Sequence, residues 1–248
     1  MNRDDVLAAV SSQVSYLRAA TTAPTDEGWI ACADLVAGGG GLRELILETG
    51  RGRGTDDLQV AASLFVQAYA FRVASVVLGA YALGLPIVDV APEHTAIRIA
   101  RDRPAAIAHT LDAVHEGSVA ELVARLIDGH LAAFIASVRT LTPVGERLLW
   151  GNAATSCAVV FRAIEGVDHD PSVRARAAKF FAAASPIVDG LGGFETLQVG
   201  DREGWYWTRT NCCLWYQTTA ERRCDDCSLY SEAELRIQRK KELAEVAE

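Results

Sequence analysis

Apolar residues recur with helical spacing along most of the chain. Between Asp4 and Arg18 they fall at Val6, Leu7, Val10, Val14 and Leu17, one face of a helix. Thr55-Asp56 reads as the cap of a long helix through Leu58, Leu64, Phe65, Tyr69 and Val76 toward Leu83, stopped by Gly84 and Pro86. Ser118 and Glu121 form a capping-box pattern, each side chain satisfying the other's free backbone N–H, and predict a helix through Leu122, Leu126, Ile127 and Phe134. Ser231 and Glu234 repeat that pattern before a last helix. Thr142-Pro143 and Asp170-Pro171 each set a capping residue before a proline, which suits the first helical turn because no N–H is needed there.

Two stretches break this rhythm. From Ile87 to His109, prolines surround short alternations better suited to strands, Ile87-Val88-Asp89-Val90 and Thr95-Ala96-Ile97-Arg98-Ile99. Phe194–Val199 and Trp205–Thr210 flank Gly200-Asp201-Arg202-Glu203-Gly204, a loop with a glycine at each end, and predict a hairpin. No repeat of solenoid period is present.

Charge and composition narrow the function classes. Lys and Arg number 24 against 32 Asp and Glu, a net charge of −8, which argues against a nucleic-acid binder. Half the residues are hydrophobic and 23% charged, the balance of a chain with an ordinary buried core. The longest uncharged run, Val73 to Val88, contains Gly79, Gly84 and Pro86 and falls short of the ~20 residues that cross a bilayer, so it reads as a buried helix. The acidic start, Met1-Asn2-Arg3-Asp4-Asp5-Val6, does not read as a secretory signal. The expectation is a cytoplasmic protein without a transmembrane segment, a peripheral association with the inner face of the membrane being left open.

The candidate chemistry lies in Cys212, Cys213, Cys224 and Cys227, spaced C-C-x10-C-x2-C. Thiols gathered this closely in a reducing compartment point to metal rather than to disulfides. Cys224 and Cys227 suit a tight turn aiming both sulfurs at one centre. Adjacent residues of an extended strand face opposite ways, so Cys212 and Cys213 need a bend to share one. Structural zinc usually takes two C-x2–4-C pairs, whereas a [2Fe–2S] cluster spreads four thiolates over two irons. The spacing favours iron–sulfur over zinc.

This motif, preceded by Arg209 and followed by Leu229, resembles the C-terminal signature of FhuF-type ferric siderophore reductases. A second stretch, Arg147-Leu148-Leu149-Trp150-Gly151-Asn152-Ala153-Ala154, is similar to the family's central leucine-tryptophan-glycine-asparagine segment. Ser228 stands where many relatives have proline. The resemblance implies that Cys212, Cys213, Cys224 and Cys227 hold a [2Fe–2S] cluster that passes one electron to the ferric ion of a siderophore complex, releasing ferrous iron. The expected fold is α+β, predominantly α-helical with small β-hairpin elements and a C-terminal iron–sulfur cluster motif. Residues 1–193 would form a mainly helical body, and residues 194–248 the hairpin, the cluster motif and the last helix, within one integrated fold.

The implied enzyme is an oxidoreductase with no catalytic residues beyond the cluster. With no nucleotide-binding motif in the chain, the expected electron donor is external, a ferredoxin or a flavoprotein. The net charge favours neutral or cationic siderophores such as hydroxamates. Asp225 and Asp226 would lower the cluster potential while Arg209, Arg222 and Arg223 oppose them. Trp205, Trp207 and Trp215 read either as an aromatic shell that limits water and offers a docking face, or simply as packing under the hairpin. The alternative function is a non-enzymatic zinc-binding module or an iron–sulfur redox sensor.

Other signals read as structure. Gly38–Gly41 is a turn before a helix at Leu42, and Gly50–Gly54 a mobile loop whose arginines could meet an anion. His94, His109, His115, His130 and His169 lack paired ligand spacing, Cys32 and Cys157 are small buried residues, and Arg236–Glu245 is a solvated helix face.

Overall fold

Residues Leu58–Leu83 form one helix that is apolar around most of its circumference, and the rest of the chain wraps it. The computed structural model describes residues 1–22, 28–220 and 222–245. The elements run α1 (Arg3–Gln13), β1 (Trp29–Ala31), α2 (Cys32–Val36), α3 (Leu42–Gly52), α4 (Leu58–Leu83), β2 (Ile87–Val88), β3 (Thr95–Ala100), β4 (Arg103–His109) and β5 (Val114–His115). They continue with α5 (Val119–Val123), α6 (Ala132–Leu141), α7 (Glu146–Asp168), α8 (Pro171–Ala183), β6 (Gly192–Val199), β7 (Arg202–Arg209) and α9 (Glu232–Glu245). The fold is α+β and predominantly helical, as the periodicity predicts.

By length and composition α4 could cross a membrane, but 78% of its most apolar window is buried inside the protein, the position of a core helix. Tyr69 stacks on Phe134 with ring centroids 3.6 Å apart, and Phe65 leans on the same ring. Gly84, at φ 72°, takes the left-handed turn that ends α4. The antiparallel sheet β1-β3-β4 lies against this core, and two-stranded ribbons are made by β2 with β5 and β6 with β7. Trp205 and Trp207 on β7 belong to the same buried cluster as α1 and α4, so the hairpin and the helical body share one core.

Local signals locate the helix ends to within a few residues. The first helix stops at Gln13, and Ser15–Leu17 forms a separate short turn. Asp57, not Thr55-Asp56, caps α4, accepting from Gln59 and Val60, while Thr55 accepts from the N–H of Asp57. Asp170 and Ser231 cap α8 and α9 as expected. Thr142-Pro143 opens no helix. The Thr142 hydroxyl is spent on the Val138 carbonyl at the end of α6, and α7 starts beyond Gly145. Gly50 to Gly52 are helical rather than loop, and the β6–β7 turn is only Gly200-Asp201, since Val199 pairs with Arg202. The charged face of α9 is not wholly solvated either: Arg239 is buried and bonds Glu195, Thr208 and the Trp207 carbonyl of the hairpin.

The helix predicted from Ser118 continues from α5 into α6 through a π-helical stretch, Ala124–Leu131, carrying His130. His130 lies between the Tyr69 hydroxyl, 2.7 Å from Nε2, and the Val90 carbonyl, 2.6 Å from Nδ1. Its neighbours are histidines too. His109 Nδ1 donates to the Asp89 carbonyl at 2.9 Å, and His94 and Arg125 pair with the Asp89 carboxylate at 2.7 and 3.0 Å. Burial pushes His130 down from its ordinary 6.5 to about 4, partly opposed by the Val90 carbonyl. Because the folded form resists a proton that the unfolded chain accepts, this group's stability contribution is full above pH 6.5 and falls as the pH drops toward about 4. Urea unfolding across that window is expected to show a loss of up to about 3 kcal/mol traceable to this side chain. A His130→Gln variant should lack that part of the slope; identical slopes in both proteins would contradict the account.

Candidate metal centre

Strand β7 ends at Arg209, and the chain then turns through Thr210 and Asn211 into the paired cysteines. Directly after the paired cysteines the chain turns at Leu214, left-handed at φ 67°, whose N–H donates back to Cys212 Sγ at 3.3 Å. A short 3-10 turn, Trp215–Gln217, follows. The second pair sits on a tight turn in which the Cys227 N–H donates to the Cys224 carbonyl at 3.1 Å. Cys213 and Cys227 are buried, while Cys212 and Cys224 are partly exposed.

The two pairs meet, with Cys213 Sγ 3.7 Å from Cys224 Sγ. Cys213 is pushed well down, first by the Cys212 thiol, next by Cys224, with the Arg209 charge adding to both. Cys212 and Cys224 are driven up, chiefly because each faces the Cys213 thiolate. Among the described residues, no three or more His, Cys, Asp or Glu side chains are gathered closely enough to hold a metal ion. Cys32 and Cys157 lie apart in the core as small buried residues, and burial raises Cys157 to about 12.

The loop is seated by the other stretch that the sequence singles out. Asn152 on α7 donates to Ser63 Oγ at 2.8 Å and to the Ser63 carbonyl at 3.0 Å, and Ser63 Oγ in turn donates to the Cys213 carbonyl at 2.8 Å. The Asn152 Oδ1 accepts from Arg209 at 2.5 Å. One turn earlier, the Leu148 carbonyl accepts from Asn211 Nδ2 at 3.2 Å. Gly151 leaves the space into which the Asn211 carboxamide packs.

Arg209 is only 2% exposed, yet its Nε and Nη1 have no hydrogen-bond partner among the described residues, and no carboxylate there pairs with it. An unpaired buried cation is strongly unfavourable unless an anionic group completes its surroundings. Its charge acts on Cys213 and Cys224. A donor set of four cysteines beside such a cation fits a thiolate-bound metal centre, whose net charge is negative.

Comparison with protein-family models and with curated proteins gives no match. The chemistry is therefore read from the site itself.

Ser63 is the participant that sequence reasoning missed. It lies on an apolar helix with no motif around it, and only the approach of α7 to α4 gives it a role. The tryptophans divide. Trp205 and Trp207 are packing: they stack on Phe194 and Phe181 at 3.8 and 4.9 Å, and Trp207 Nε1 donates to Thr155. Tyr206, on the opposite face of the strand, donates to the Arg239 carbonyl on α9. Trp215 alone borders open space next to the cysteines. Of the histidines, read as surface or satisfied core residues, His94, His109, His115 and His130 gather around Asp89 and Val90, while His169 lies 3.8 Å from Glu165.

Proposed function

We propose that the protein is a ferric siderophore reductase whose Cys212, Cys213, Cys224 and Cys227 hold a [2Fe–2S] cluster. The observation that carries this reading is Arg209, a buried guanidinium with unpaired donors whose charge acts on Cys213 and Cys224. A second support is that the two family-like stretches, far apart in sequence, meet through Asn152, Arg209 and Ser63. When bound, an all-cysteine [2Fe–2S] centre supplies a single electron, at about −400 mV in the plant-type case.

The chain's own residues hold and shield that centre. Cys213 and Cys227, which are buried, and Cys212 and Cys224, which are partly exposed, would be the residues that hold it. Arg209 balances negative charge, and Asn152 fixes the guanidinium. The Leu214 N–H, which donates to Cys212 Sγ, would favour that sulfur as a thiolate ligand. On the substrate, one added electron weakens the grip of hard oxygen donors on iron, and ferrous iron is released. The electron comes from an external donor, a ferredoxin or flavoprotein, in a cytoplasmic setting.

Protein purified without oxygen is expected to absorb between roughly 400 and 500 nm and to carry acid-labile sulfide, as cysteine-ligated clusters do. Once reduced, it should be reoxidised by ferrioxamine while a ferrous chelator traps the product. A colourless protein carrying one zinc would overturn the reading in favour of a zinc-binding module. A cluster indifferent to ferric chelates but responsive to DNA or a protein partner would make it a sensor.

A further inference from the structure

Beside the cysteine loop lies a cavity of about 400 Å³ whose lining includes Arg53, Arg72, Arg103, Gln67, Ser156 and Trp215 and, among the described residues, no acidic one. The three arginines come from separate elements. Arg53 follows α3, and its carbonyl is fastened to the motif loop by the N–H and hydroxyl of Thr219 at 3.1 and 3.2 Å. Arg72 projects from α4, and Arg103 begins β4 after the tight turn at Arg101-Asp102, both left-handed at φ 49° and 60°. Trp215, two residues after Cys213, carries the Arg53 guanidinium 4.6 Å from its ring centroid.

None of the three arginines has an ion-pair partner among the described residues. Arg72 donates only to the Tyr16 carbonyl, at 3.1 Å, and lies over Phe71. Burial pulls Arg53 and Arg72 below the usual guanidinium range, and Arg103 repels both. An adjoining cavity of about 290 Å³ shares Arg72 and adds Arg18, extending the positive surface. Cations gathered from three elements without counter-charge are mutually destabilising unless a ligand supplies the charge. Guanidinium groups pair well with planar oxygen anions, and the aromatic wall offers a face for stacking.

We infer that this cavity docks an anionic ferric chelate, one presenting carboxylate or catecholate oxygens to Arg53, Arg72 and Arg103 next to the cysteine loop. The inference rests on the reductase reading for the identity of the bound metal. It reverses the preference for neutral or cationic hydroxamates drawn from the net charge of −8, because the field at the cavity, not the molecular total, meets the substrate.

Gallium(III) complexes test it, since gallium matches ferric iron in charge and size but accepts no electron under these conditions. Calorimetry on anaerobically purified full-length protein is expected to show gallium tris-catecholate, a trianion, binding at least about tenfold more tightly than cationic gallium desferrioxamine B, with affinity falling as salt rises. Arg53→Gln and Arg103→Gln, both at partly or fully exposed positions, should each weaken the anion about tenfold with circular dichroism unchanged. Equal binding of the two complexes, or variants that leave the anion's affinity unaltered, would overturn the assignment. So would inorganic pyrophosphate binding more tightly than the gallium anion, which would mark a phosphoryl site. If reduced protein is reoxidised by ferrioxamine but the gallium anion neither binds nor competes with catecholate-bound iron, the cavity assignment fails alone. If the anion binds through the arginines to protein that carries zinc, the site stands as an anionic-chelate site and the reductase reading fails alone.

Discussion

The Cys224→Ser variant is expected to lose its visible absorbance and at least about tenfold of its bound iron while keeping the helical circular dichroism of the parent. Cys224 lies at the contact between the two cysteine pairs, 3.7 Å from Cys213 Sγ. A serine hydroxyl does not ionise near neutral pH and is a hard, weak ligand where a soft thiolate is needed. The helices should survive because the residue is partly exposed and sits on a turn outside the described helices. Iron and sulfide assays beside far-ultraviolet spectra separate the outcomes. If ellipticity falls in step with iron, the centre supports the fold, and its role as an electron carrier loses its main argument.

The Gly151→Ala variant should produce a smaller loss of the same kind from a residue that binds nothing. In the interior of an exposed helix this exchange stabilises by up to about 1 kcal/mol. Here the sign should reverse. A methyl group at position 151 would overlap the Asn211 carboxamide, so that side chain must leave its place against α7 and give up its bond to the Leu148 carbonyl. Asn211 directly precedes Cys212, and its expulsion displaces the start of the motif. The expected net cost is about 1–3 kcal/mol in stability, with iron content reduced severalfold. Adding Asn211→Ala removes the clashing group, so the double variant should recover iron relative to Gly151→Ala alone. If the single variant keeps full iron content and gains stability, Gly151 is an ordinary helix residue and does not seat the loop.

Both predictions turn on contacts that the linear chain does not display. Ser118 with Glu121 and Ser231 with Glu234 were legible because a capping box closes between residues three apart. The hairpin was legible from its glycines and strand alternation, although its turn is shorter than the glycine at position 204 suggests. Gly204 stands inside the strand because Tyr206 packs over it. Thr142-Pro143 misled because a threonine hydroxyl can close the helix behind it as well as open one ahead, and only the position of Val138 decides between them. The charged run of α9 looked solvated because periodicity does not reveal that the two strands of the neighbouring hairpin offer Arg239 a carboxylate and a carbonyl.

Local spacing was enough to determine a mainly helical chain with a late hairpin and four grouped cysteines, since hydrophobic period, caps and turn residues act over a few positions. It also marked Gly151-Asn152 and Arg209 without assigning either a partner. Tertiary structure decided that Ser63, Asn152 and Arg209 form one support beneath Cys213. It also decided that Arg53, Arg72 and Arg103 share a cavity free of carboxylates, and that histidines scattered along the chain converge on Asp89 and Val90. The reason is physical: hydrogen bonds and Coulomb interactions act over a few ångströms in space, and the packing of α4 against α7 and the sheet sets which distant residues come within that reach.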